Sequence, residues 1–595
     1  MRVSGRPRWL LLLALLWPSR VARADEDDSG RPRLVVLVVV DQLGEDLLER
    51  MAPRLHANDQ AQGFRRLARE GAWWTDCRLR LSSTSTAAGH ATIASGAYPC
   101  VHGIVGNRWW ERGPAGQAGH DVYCVADPAA QVFGAAEAAT AAQRSGPANL
   151  RGESIGDALK ASLPLAPRVV SVSLKDRAAI LLAGRRADAC FWLDTRAGGF
   201  VACDRFAAFR EGSDEQRAGL RKAVEGRLLE FNRTRLGEFV REWTLEEHAP
   251  LGYDEAADDA RPEEGEDAAF PHGPLLPDDV AFAEASPAGN DMLVAFLDAL
   301  VPLGPAEGGK PRDASGERLA LGGRAGATDL LCVSFSSPDL VGRRYGPESQ
   351  EAADDFVRLD RTLERLLALL DRKVGRGRWL LALTSDHGAA PLPEAAARDG
   401  LDAGRVTSAQ VVAAVERALA SAAPAGEDPS ARVAGVEDGN VYLSVGKALG
   451  DAGRAGVEAT VRSALLEVPG VWRAYTRTQL LDGRVPDDAP GRGAVHSFDA
   501  SRSGDVVFQL RPHWVLAGPS PGTASGQPWA YDSRVPLFLL GPGVRACPHL
   551  EPASVVDIAA TLAALLHVAP PAGCEGRVLA EGISLDTWRT TVPLR

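Results

Sequence analysis

Polar side chains that could bind a metal ion or a phosphate group stand at the ends of four apolar runs. Asp41 follows the first run, Lys175 follows the second, Asp339 lies just beyond the third, and Asp386 with His387 closes the fourth. Any one of them alone is typical of a helix cap or a turn. Together they predict one site, because the carboxyl ends of parallel strands meet at the same edge of a sheet.

The residue types at these run ends favour zinc. Asp41, Asp386 and His387 offer carboxylate oxygens and a neutral imidazole nitrogen, which are common zinc ligands. Gly388 directly after the last pair allows a sharp turn at the end of a buried strand. An exposed turn is the alternative interpretation, but an apolar run that leads into the pair disfavours it.

A hydroxyl-rich segment offers a nucleophile. Residues 82–90 read Ser-Ser-Thr-Ser-Thr-Ala-Ala-Gly-His and lead into a run of small residues, which places Thr86 near a predicted helix N-terminus. Backbone N–H groups and the helix dipole favour an oxyanion there. A hydroxyl bound to a metal ion can lose its proton and attack a substrate. A Ser/Thr-rich cap without chemistry is the alternative.

Strands that alternate with helices must position these residues. Five apolar runs are continuous, as in buried parallel strands; they span residues 34–40, 169–174, 330–335, 379–384 and 535–540. Apolar residues from Phe356 to Leu370 recur at helical spacing, with charged residues opposite. The pattern predicts an α/β fold with an open, mostly parallel central sheet and helices on both faces.

Two regions interrupt this alternation and are interpreted as insertions into one α/β domain at residues 25–595. The first, at about residues 178–311, contains a possible hairpin, a charged helical stretch and the acidic run 254–267. We expect it to form a cap with a mobile acidic loop. The second, at about residues 402–509, combines βαβ-like patterning with Gly/Pro-rich connections.

The N-terminus is typical of an export signal. A basic start is followed by the apolar residues 9–17 and by small residues at Ala22 and Ala24, which predicts cleavage after Ala24 and a signal peptide at residues 1–24. We therefore expect a periplasmic or secreted protein without a membrane span. The net charge of −12 argues against a nucleic-acid polymer as partner, but it does not exclude a small anionic substrate.

The eight cysteines predict disulfides if the compartment is oxidising. Cys190 and Cys203 flank a segment with a Gly-Gly turn, which favours a bridged hairpin, and Cys547 with Cys574 is the second candidate pair. A Cys-x-x-Cys motif is absent from the sequence, and a thiolate metal site is therefore disfavoured.

The motifs, taken in order, resemble one family. They are Val-Val-Asp41, Thr86-Ala-Ala-Gly-His90, His102-Gly-Ile-Val-Gly-Asn107, Ser173-Leu-Lys175-Asp-Arg177, Ser336-Ser-Pro-Asp339 and Ser385-Asp-His-Gly388. The chain resembles the phosphate-irrepressible alkaline phosphatases that use a threonine nucleophile. They belong to the alkaline phosphatase superfamily, as do the nucleotide pyrophosphatase/phosphodiesterases. The resemblance runs from about residue 33 to the C-terminus and implies an alkaline phosphatase-like fold.

The resemblance implies a role for each matched residue. Thr86 would be the nucleophile that becomes phosphorylated, and Asn107 would bind a phosphoryl oxygen. Lys175 and Arg177 would hold the remaining oxygens of a phosphate monoester, whose two negative charges need such neutralisation. One zinc ion would be held by Asp41, Asp386 and His387, with the Thr86 oxygen as the fourth ligand.

The second metal site of the family is incomplete in this chain. The family pattern has an Asp, a His four residues later, and a His in a Gly-Thr-x-His-Gly segment. Here Asp339 is present, but Arg343 stands four residues later, and Ser525 takes the place of the second His. Arginine cannot serve as a neutral ligand, and Asp with Ser makes a poor zinc site. We expect Arg343 to supply positive charge in its place.

The expected function is metal-dependent hydrolysis of small phosphate monoesters through a phosphothreonine intermediate. The lost second-site ligands favour one alternative, an inactive homologue that binds phosphorylated ligands. A phosphodiesterase or nucleotide pyrophosphatase is another alternative, which Lys175 and Arg177 disfavour. A sulfatase is disfavoured because its modified nucleophile derives from Cys or Ser, whereas this chain has Thr86. The oligomeric state is left open.

Overall fold

The computed structural model describes residues 31–57, 62–113, 119–135, 144–245, 267, 269–276, 278–306, 314–424, 431–445, 450–516, 522–585 and 587. Its strands are β1 Leu34–Val40, β2 Ala72–Arg78, β3 Arg108–Glu111, β4 His120–Tyr123, β5 Val132–Phe133, β6 Val169–Ser173, β7 Ala189–Asp194, β8 Gly199–Cys203, β9 Asp329–Phe335, β10 Trp379–Thr384, β11 Gly404–Val406, β12 Ala431–Glu437, β13 Asn440–Val445, β14 Val471–Thr476, β15 Val506–Leu510, β16 Trp514–Leu516, β17 Arg534–Leu540, β18 Cys547–His549 and β19 Ala553–Ser554.

The helices follow the same chain order. They are α1 Glu45–Ala57, α2 Gly63–Glu70, α3 Thr86–Ser95, α4 Pro99–His102, α5 Ile155–Ser162, α6 Asp176–Ala183, α7 Asp214–Thr234, α8 Val280–Glu284, α9 Pro287–Leu300, α10 Ala314–Leu319, α11 Ser337–Tyr345, α12 Gln350–Leu370, α13 Pro393–Arg398, α14 Ser408–Ala422, α15 Asp451–Leu466, α16 Arg477–Leu481, α17 Ala489–His496, α18 Ala530–Ser533 and α19 Asp557–Leu565.

The apolar runs form the middle of an eleven-stranded sheet in the order β18-β2-β17-β10-β1-β9-β6-β7-β8-β5, with β19 beside β2. β1 pairs in parallel with both β9 and β10, and β6 pairs in parallel with β9. Every residue of β1 is buried. Because successive side chains point to opposite faces, layers of protein cover both sides of the sheet. The predicted α/β fold is confirmed.

One predicted strand runs in the opposite direction. The sequence predicts a parallel strand at residues 535–540, but β17 pairs antiparallel with β10, where Leu381 lies opposite Leu540, and antiparallel with β2. The prediction is wrong because a strand buried on both faces is continuously apolar whichever way its neighbours run. The predicted amphipathic helix is present as α12, whose apolar side is buried.

The region expected as the first insertion contributes to the central sheet. The possible hairpin is present as β7 and β8, which pair antiparallel. β7 also pairs in parallel with β6. Residues 189–203 therefore extend the sheet instead of belonging to a separate cap. Apart from Asp267, the acidic run 254–267 lies outside the described residues.

Residues within the second expected insertion form a separate sheet in the order β12-β13-β15-β14. Both β13 and β14 pair antiparallel with β15, which lies between them. Since α15 connects β13 to β14, this is a βαβ crossover with a third strand inserted. Apolar residues of these strands and of α14 and α15 form their own buried cluster.

The cysteine predictions are not met. Cys190 and Cys203 lie on the paired strands β7 and β8, and Cys547 and Cys574 lie near the C-terminus, but all four are free thiols. The hairpin prediction was correct for the backbone, whereas the bridge depends on side-chain directions that spacing does not report. The predicted signal peptide lies outside the described residues. Among the described residues, every helix is too short or too polar to span a bilayer.

Close backbone contact between α3 and the end of β10 tests this packing. A Cβ added at Gly89 would lie 2.5 Å from the Asp386 carbonyl oxygen, whereas one at Gly219 on α7 would meet open space. We expect Gly89→Ala to lower the free energy of unfolding by about 1–3 kcal/mol. The matched Gly219→Ala should raise it by up to about 1 kcal/mol, since Ala is the better helix former. Urea unfolding measures both, and equal effects would contradict the contact.

Candidate active site

Thr86 is the first residue of α3 and is fully buried. The preceding Ser85 is the helix N-cap, but its side chain makes no capping hydrogen bond. The Thr86 hydroxyl oxygen also has no hydrogen-bond partner among the described residues. The Thr86 hydroxyl therefore lies at a helix N-terminus, as the sequence predicts. Backbone N–H groups at such a position favour an oxyanion.

Three other atoms near the ends of β1 and β10 share this property. Asp41 Oδ1, Asp386 Oδ2 and His387 Nε2 are buried and make no hydrogen bond of good geometry to described residues, although His90 Nδ1 lies 3.0 Å from Asp386 Oδ2. His387 Nε2 lies 3.6 Å from each of the other two atoms. Buried polar atoms are almost always satisfied, and these donors are of the kinds that bind zinc. The predicted first-site ligand set is therefore chemically suited to one metal ion.

Neighbouring groups orient these side chains. His387 Nδ1 lies 2.8 Å from the Gly388 carbonyl oxygen, which assigns the proton to Nδ1 and leaves Nε2 as an acceptor. His90 Nδ1 lies 2.9 Å from the Thr86 carbonyl oxygen and 3.0 Å from Asp386 Oδ2. His90 thus links the start of α3 to the end of β10.

Lys175 lies between two of the strand-end carboxylates. Its ammonium group donates to Asp41 Oδ2 at 2.6 Å and to Asp339 Oδ2. Burial, followed by the negative charges of Asp339 and Asp386, raises the pKa of Asp41 to about 6. Lys175 therefore neutralises carboxylates in this structure, whereas the resemblance assigns it to a substrate oxygen.

Asp339 has donors on both oxygens. Oδ1 accepts from Gln42 Nε2 at 2.8 Å and from Arg343 Nε at 2.7 Å, and Oδ2 accepts from Lys175. Burial would raise the pKa of Asp339, but the charges of Arg343 and Lys175 outweigh it and hold the pKa well below its usual value. Asp339, Asp41 and His387 are close enough together to share a metal ion. Asp339 would have to give up one of these donors to do so.

Arg343 connects the residues of the altered second site. Besides its contact with Asp339, its Nη2 donates to Ser525 Oγ at 3.3 Å. The Arg343 carbonyl oxygen accepts from the Thr523 N–H at 2.7 Å, which anchors the segment that carries Ser525 on α11. The guanidinium therefore joins the three positions at which the family pattern has its second-site ligands.

The predicted phosphate-binding residues lie beside Thr86 and Lys175. Asn107 Oδ1 accepts from the Ala87 N–H at 3.0 Å, one residue after Thr86, the predicted nucleophile. Arg177 Nη1 lies 3.4 Å from the Tyr123 hydroxyl oxygen, and that hydroxyl donates to Asp176 Oδ1 at 2.5 Å. Tyr123 thus holds the segment that carries Arg177.

The sequence interpretation missed three residues of this site. They are Gln42, Tyr123 and Asp438, whose carboxylate accepts from the Asn107 N–H at 3.0 Å. Gln42 directly follows a predicted ligand, and Asp438-Gly439 is a common hairpin turn. The position of Gln42 after Asp41 and the Asp438-Gly439 turn are visible in the sequence, but they indicate local structure and do not place either residue in the site.

A family model described as type I phosphodiesterase / nucleotide pyrophosphatase matches residues 35–529. The chain belongs to this family. Alkaline phosphatase PhoV of Synechococcus elongatus is 29% identical over 563 residues, which cover 93% of each chain. Alkaline phosphatase PafA of Elizabethkingia meningoseptica is 27% identical over 588 residues, which cover 97% of this chain and 99% of PafA.

A crystal structure of PafA matches this type I phosphodiesterase / nucleotide pyrophosphatase family member with a TM-score of 0.76 and 27% identity. The match covers 93% of this chain and 99% of PafA. The predicted resemblance and the predicted alkaline phosphatase-like fold are both confirmed.

The buried ion pairs of this family member can be tested without a substrate. We expect Lys175→Met to lower the free energy of unfolding of the metal-free protein by about 3–5 kcal/mol, because two buried carboxylates lose a shared cation. The control is Lys160→Met. Lys160 pairs with Asp188 at 2.7 Å, and Asp188 also accepts a hydrogen bond from the Val169 N–H at 2.8 Å, which remains after the substitution. The loss of unfolding free energy should therefore be smaller than for Lys175→Met.

Urea unfolding at pH 8 with a chelator present measures both variants. An equal loss for Lys175→Met and Lys160→Met would show that Lys175 is not the cation on which the two carboxylates depend.

Proposed function

We propose that this protein hydrolyses phosphate monoesters with Thr86 as the nucleophile and one zinc ion as cofactor. The observation that carries the proposal is the fully buried Thr86 hydroxyl at the start of α3, which has no hydrogen-bond partner among the described residues, together with three further such atoms at the ends of β1 and β10. The alkaline phosphatase relatives PhoV and PafA support phosphate ester hydrolysis as the reaction class.

The zinc ion would be held by Asp41, Asp386, His387 and the Thr86 oxygen. These supply four donor atoms, the number that zinc commonly takes in proteins. When bound, the ion supplies positive charge that lowers the pKa of the hydroxyl and favours its alkoxide form. Lys175 orients the Asp41 carboxylate, and the Gly388 carbonyl orients the His387 ring.

The reaction has two displacements. Thr86 Oγ attacks phosphorus while the ester P–O bond breaks, and the departing oxygen takes up a proton. Water then attacks the phosphothreonine, the P–Oγ bond breaks, and Thr86 regains its proton as inorganic phosphate leaves. In both steps the Asn107 amide and the Arg177 guanidinium would hold the phosphoryl oxygens, whose charge Arg177 can partly neutralise.

Arg343 would take the place of a second metal ion. Its guanidinium donates hydrogen bonds to Asp339 Oδ1 and Ser525 Oγ, and the Lys175 ammonium donates to Asp339 Oδ2. A fixed positive charge can stabilise a departing oxygen, but it cannot lower the pKa of a bound water as zinc does. We therefore expect substrates with good leaving groups, such as aryl phosphates, to be hydrolysed best.

Export is proposed from the N-terminal signal pattern of residues 1–24. A periplasmic or secreted enzyme of this kind would act on small phosphate esters. Separation of the exported fraction from the cytoplasm of the producing cell, followed by N-terminal sequencing of the mature chain, tests this step.

The nucleophile assignment predicts that Thr86→Ala abolishes turnover of an aryl phosphate by the zinc-loaded protein. The same change at Thr460, whose hydroxyl bonds the Gly456 carbonyl on α15, is the control and should have no effect. The measurement is release of the aryl alcohol, with both variants purified in the same way so that a contaminating phosphatase is detected.

Three results would contradict the proposal. Turnover that survives in Thr86→Ala would exclude Thr86 as nucleophile. Saturable phosphate binding by the wild type without any turnover would favour the inactive homologue, for which the altered second site is the supporting observation. Faster hydrolysis of an aryl diester than of the monoester would favour a phosphodiesterase.

The altered second site predicts a gain of metal. Arg343→His combined with Ser525→His restores both histidines of the family pattern and removes one donor from Asp339. We expect the bound zinc to rise from about one to about two equivalents, because a His/His/Asp set becomes available. Arg343→Met with wild-type Ser525 is the control, since it frees Asp339 without adding ligands. Two equivalents already present in the wild type would contradict the single-metal proposal.

A further inference from the structure

The tip of the β12–β13 hairpin, which belongs to the separate four-stranded sheet, contacts the candidate active site. Asp438 and Gly439 connect the two strands with φ values of 45° and 76°, as a tight two-residue hairpin turn requires. This turn directs the Asp438 side chain toward the segment that precedes β3. The contact joins positions that are 331 residues apart in the chain.

The contact is specific in its geometry. Asp438 Oδ2 accepts from the Asn107 N–H at 3.0 Å. A Cβ added at Gly106 would lie only 2.4 Å from that oxygen, and therefore the absence of a side chain at Gly106 leaves room for the carboxylate. Asp438 thus holds the backbone of Asn107 through a charge-assisted hydrogen bond.

The same Asn107 reaches the nucleophile. Its Oδ1 accepts from the Ala87 N–H at 3.0 Å, directly after Thr86 in the first turn of α3. Because the amide oxygen is occupied in this way, Nδ2 is the group that remains to donate to a phosphoryl oxygen. A backbone shift at Asn107 would displace both the Ala87 contact and this donor.

Asp438 brings two properties to the site, a hydrogen-bond acceptor and a negative charge. The charge would repel a phosphate dianion bound nearby. Burial raises the pKa of Asp438, and the Asn107 N–H together with the positive groups of Arg343 and Arg177 opposes that rise. The amide oxygen of an asparagine could accept the same hydrogen bond without the charge. The hydrogen bond to Asn107 and the charge of Asp438 can therefore be separated by substitution.

We propose that Asp438 is a positioning residue that orients Asn107 for binding the phosphoryl group. The hairpin of residues 431–445 is then part of the active-site machinery and not only an attached unit. This inference rests on the proposed phosphate-ester hydrolysis, and the experiment below separates the two.

The test compares Asp438→Gly with Asp438→Asn. Glycine adopts the positive φ without strain and removes the acceptor, whereas asparagine tolerates that φ and keeps an acceptor. We expect Asp438→Gly to lower kcat/KM for an aryl phosphate about 10- to 100-fold, the loss of one charge-assisted hydrogen bond. Asp438→Asn should keep kcat within about threefold, with an equal or lower KM because a repelling charge is gone.

A double-mutant cycle with Asn107→Ala distinguishes positioning from a general effect on folding. If Asp438 acts through Asn107, the double variant Asn107→Ala/Asp438→Gly is no slower than Asn107→Ala alone. Asp482→Asn is the control in the same unit, since Asp482 is half exposed and pairs with Arg484 at 2.6 Å. It should have the activity of the wild type.

Three outcomes would overturn the inference. The first is an additive loss in the cycle, and the second is no loss in Asp438→Gly. The third is an equal loss in Asp438→Asn and Asp438→Gly, which would mean that the charge acts and not the hydrogen bond. If the wild type shows no Thr86-dependent turnover, the proposed function fails by itself. Calorimetric binding of inorganic phosphate then decides the inference, with about tenfold weaker binding expected in Asp438→Gly and unchanged binding overturning it.

Discussion

The charges buried at the carboxyl edge of the sheet must neutralise one another, and the site depends on how they do so. Lys175 lies between Asp41 and Asp339, and Arg343 holds the remaining oxygen of Asp339. An unpaired buried charge is strongly destabilising, and these cations therefore fix the orientation of both carboxylates. Asp41 Oδ1 stays unsatisfied and turns toward His387, whereas Asp339 has no unused oxygen. The proposed zinc position therefore keeps donor atoms without hydrogen-bond partners, whereas both oxygens of Asp339 are engaged.

Close approach of backbone segments brings Thr86, the proposed nucleophile, to this charged edge. Gly89 allows α3 to contact the Asp386 carbonyl directly, and Gly388 allows the turn after β10 to contact the Tyr531 carbonyl, where an added Cβ would lie 2.0 Å away. Larger residues would separate Thr86 from Asp386 and His387 at the end of β10. The small residues of this region therefore determine the spacing of the site, while Asp and His supply its chemistry.

The central sheet and the inserted unit contribute different properties. The sheet brings four strand ends to one edge, and its parallel middle strands place their following residues side by side. The inserted unit, at about residues 402–509, has its own sheet and apolar cluster. Its Asp438 nevertheless accepts a hydrogen bond from the backbone of Asn107 in the rest of the chain. Asn107, the proposed phosphate-binding residue, is in this way held from two directions, by α3 through Ala87 and by the hairpin through Asp438.

The sequence determined the fold class, the bounds of β1 and β10, and the polar side chains that follow these strands, because apolar periodicity and strand-end residues are local signals. It did not determine the antiparallel direction of β17 or the place of residues 189–203 in the main sheet, since burial on both faces looks the same in either arrangement. Only the tertiary structure decided that Lys175 joins two carboxylates and that Asp438 reaches Asn107. Hydrogen bonds depend on shifts of a few tenths of an ångström between segments hundreds of residues apart, and sequence spacing carries no record of those distances.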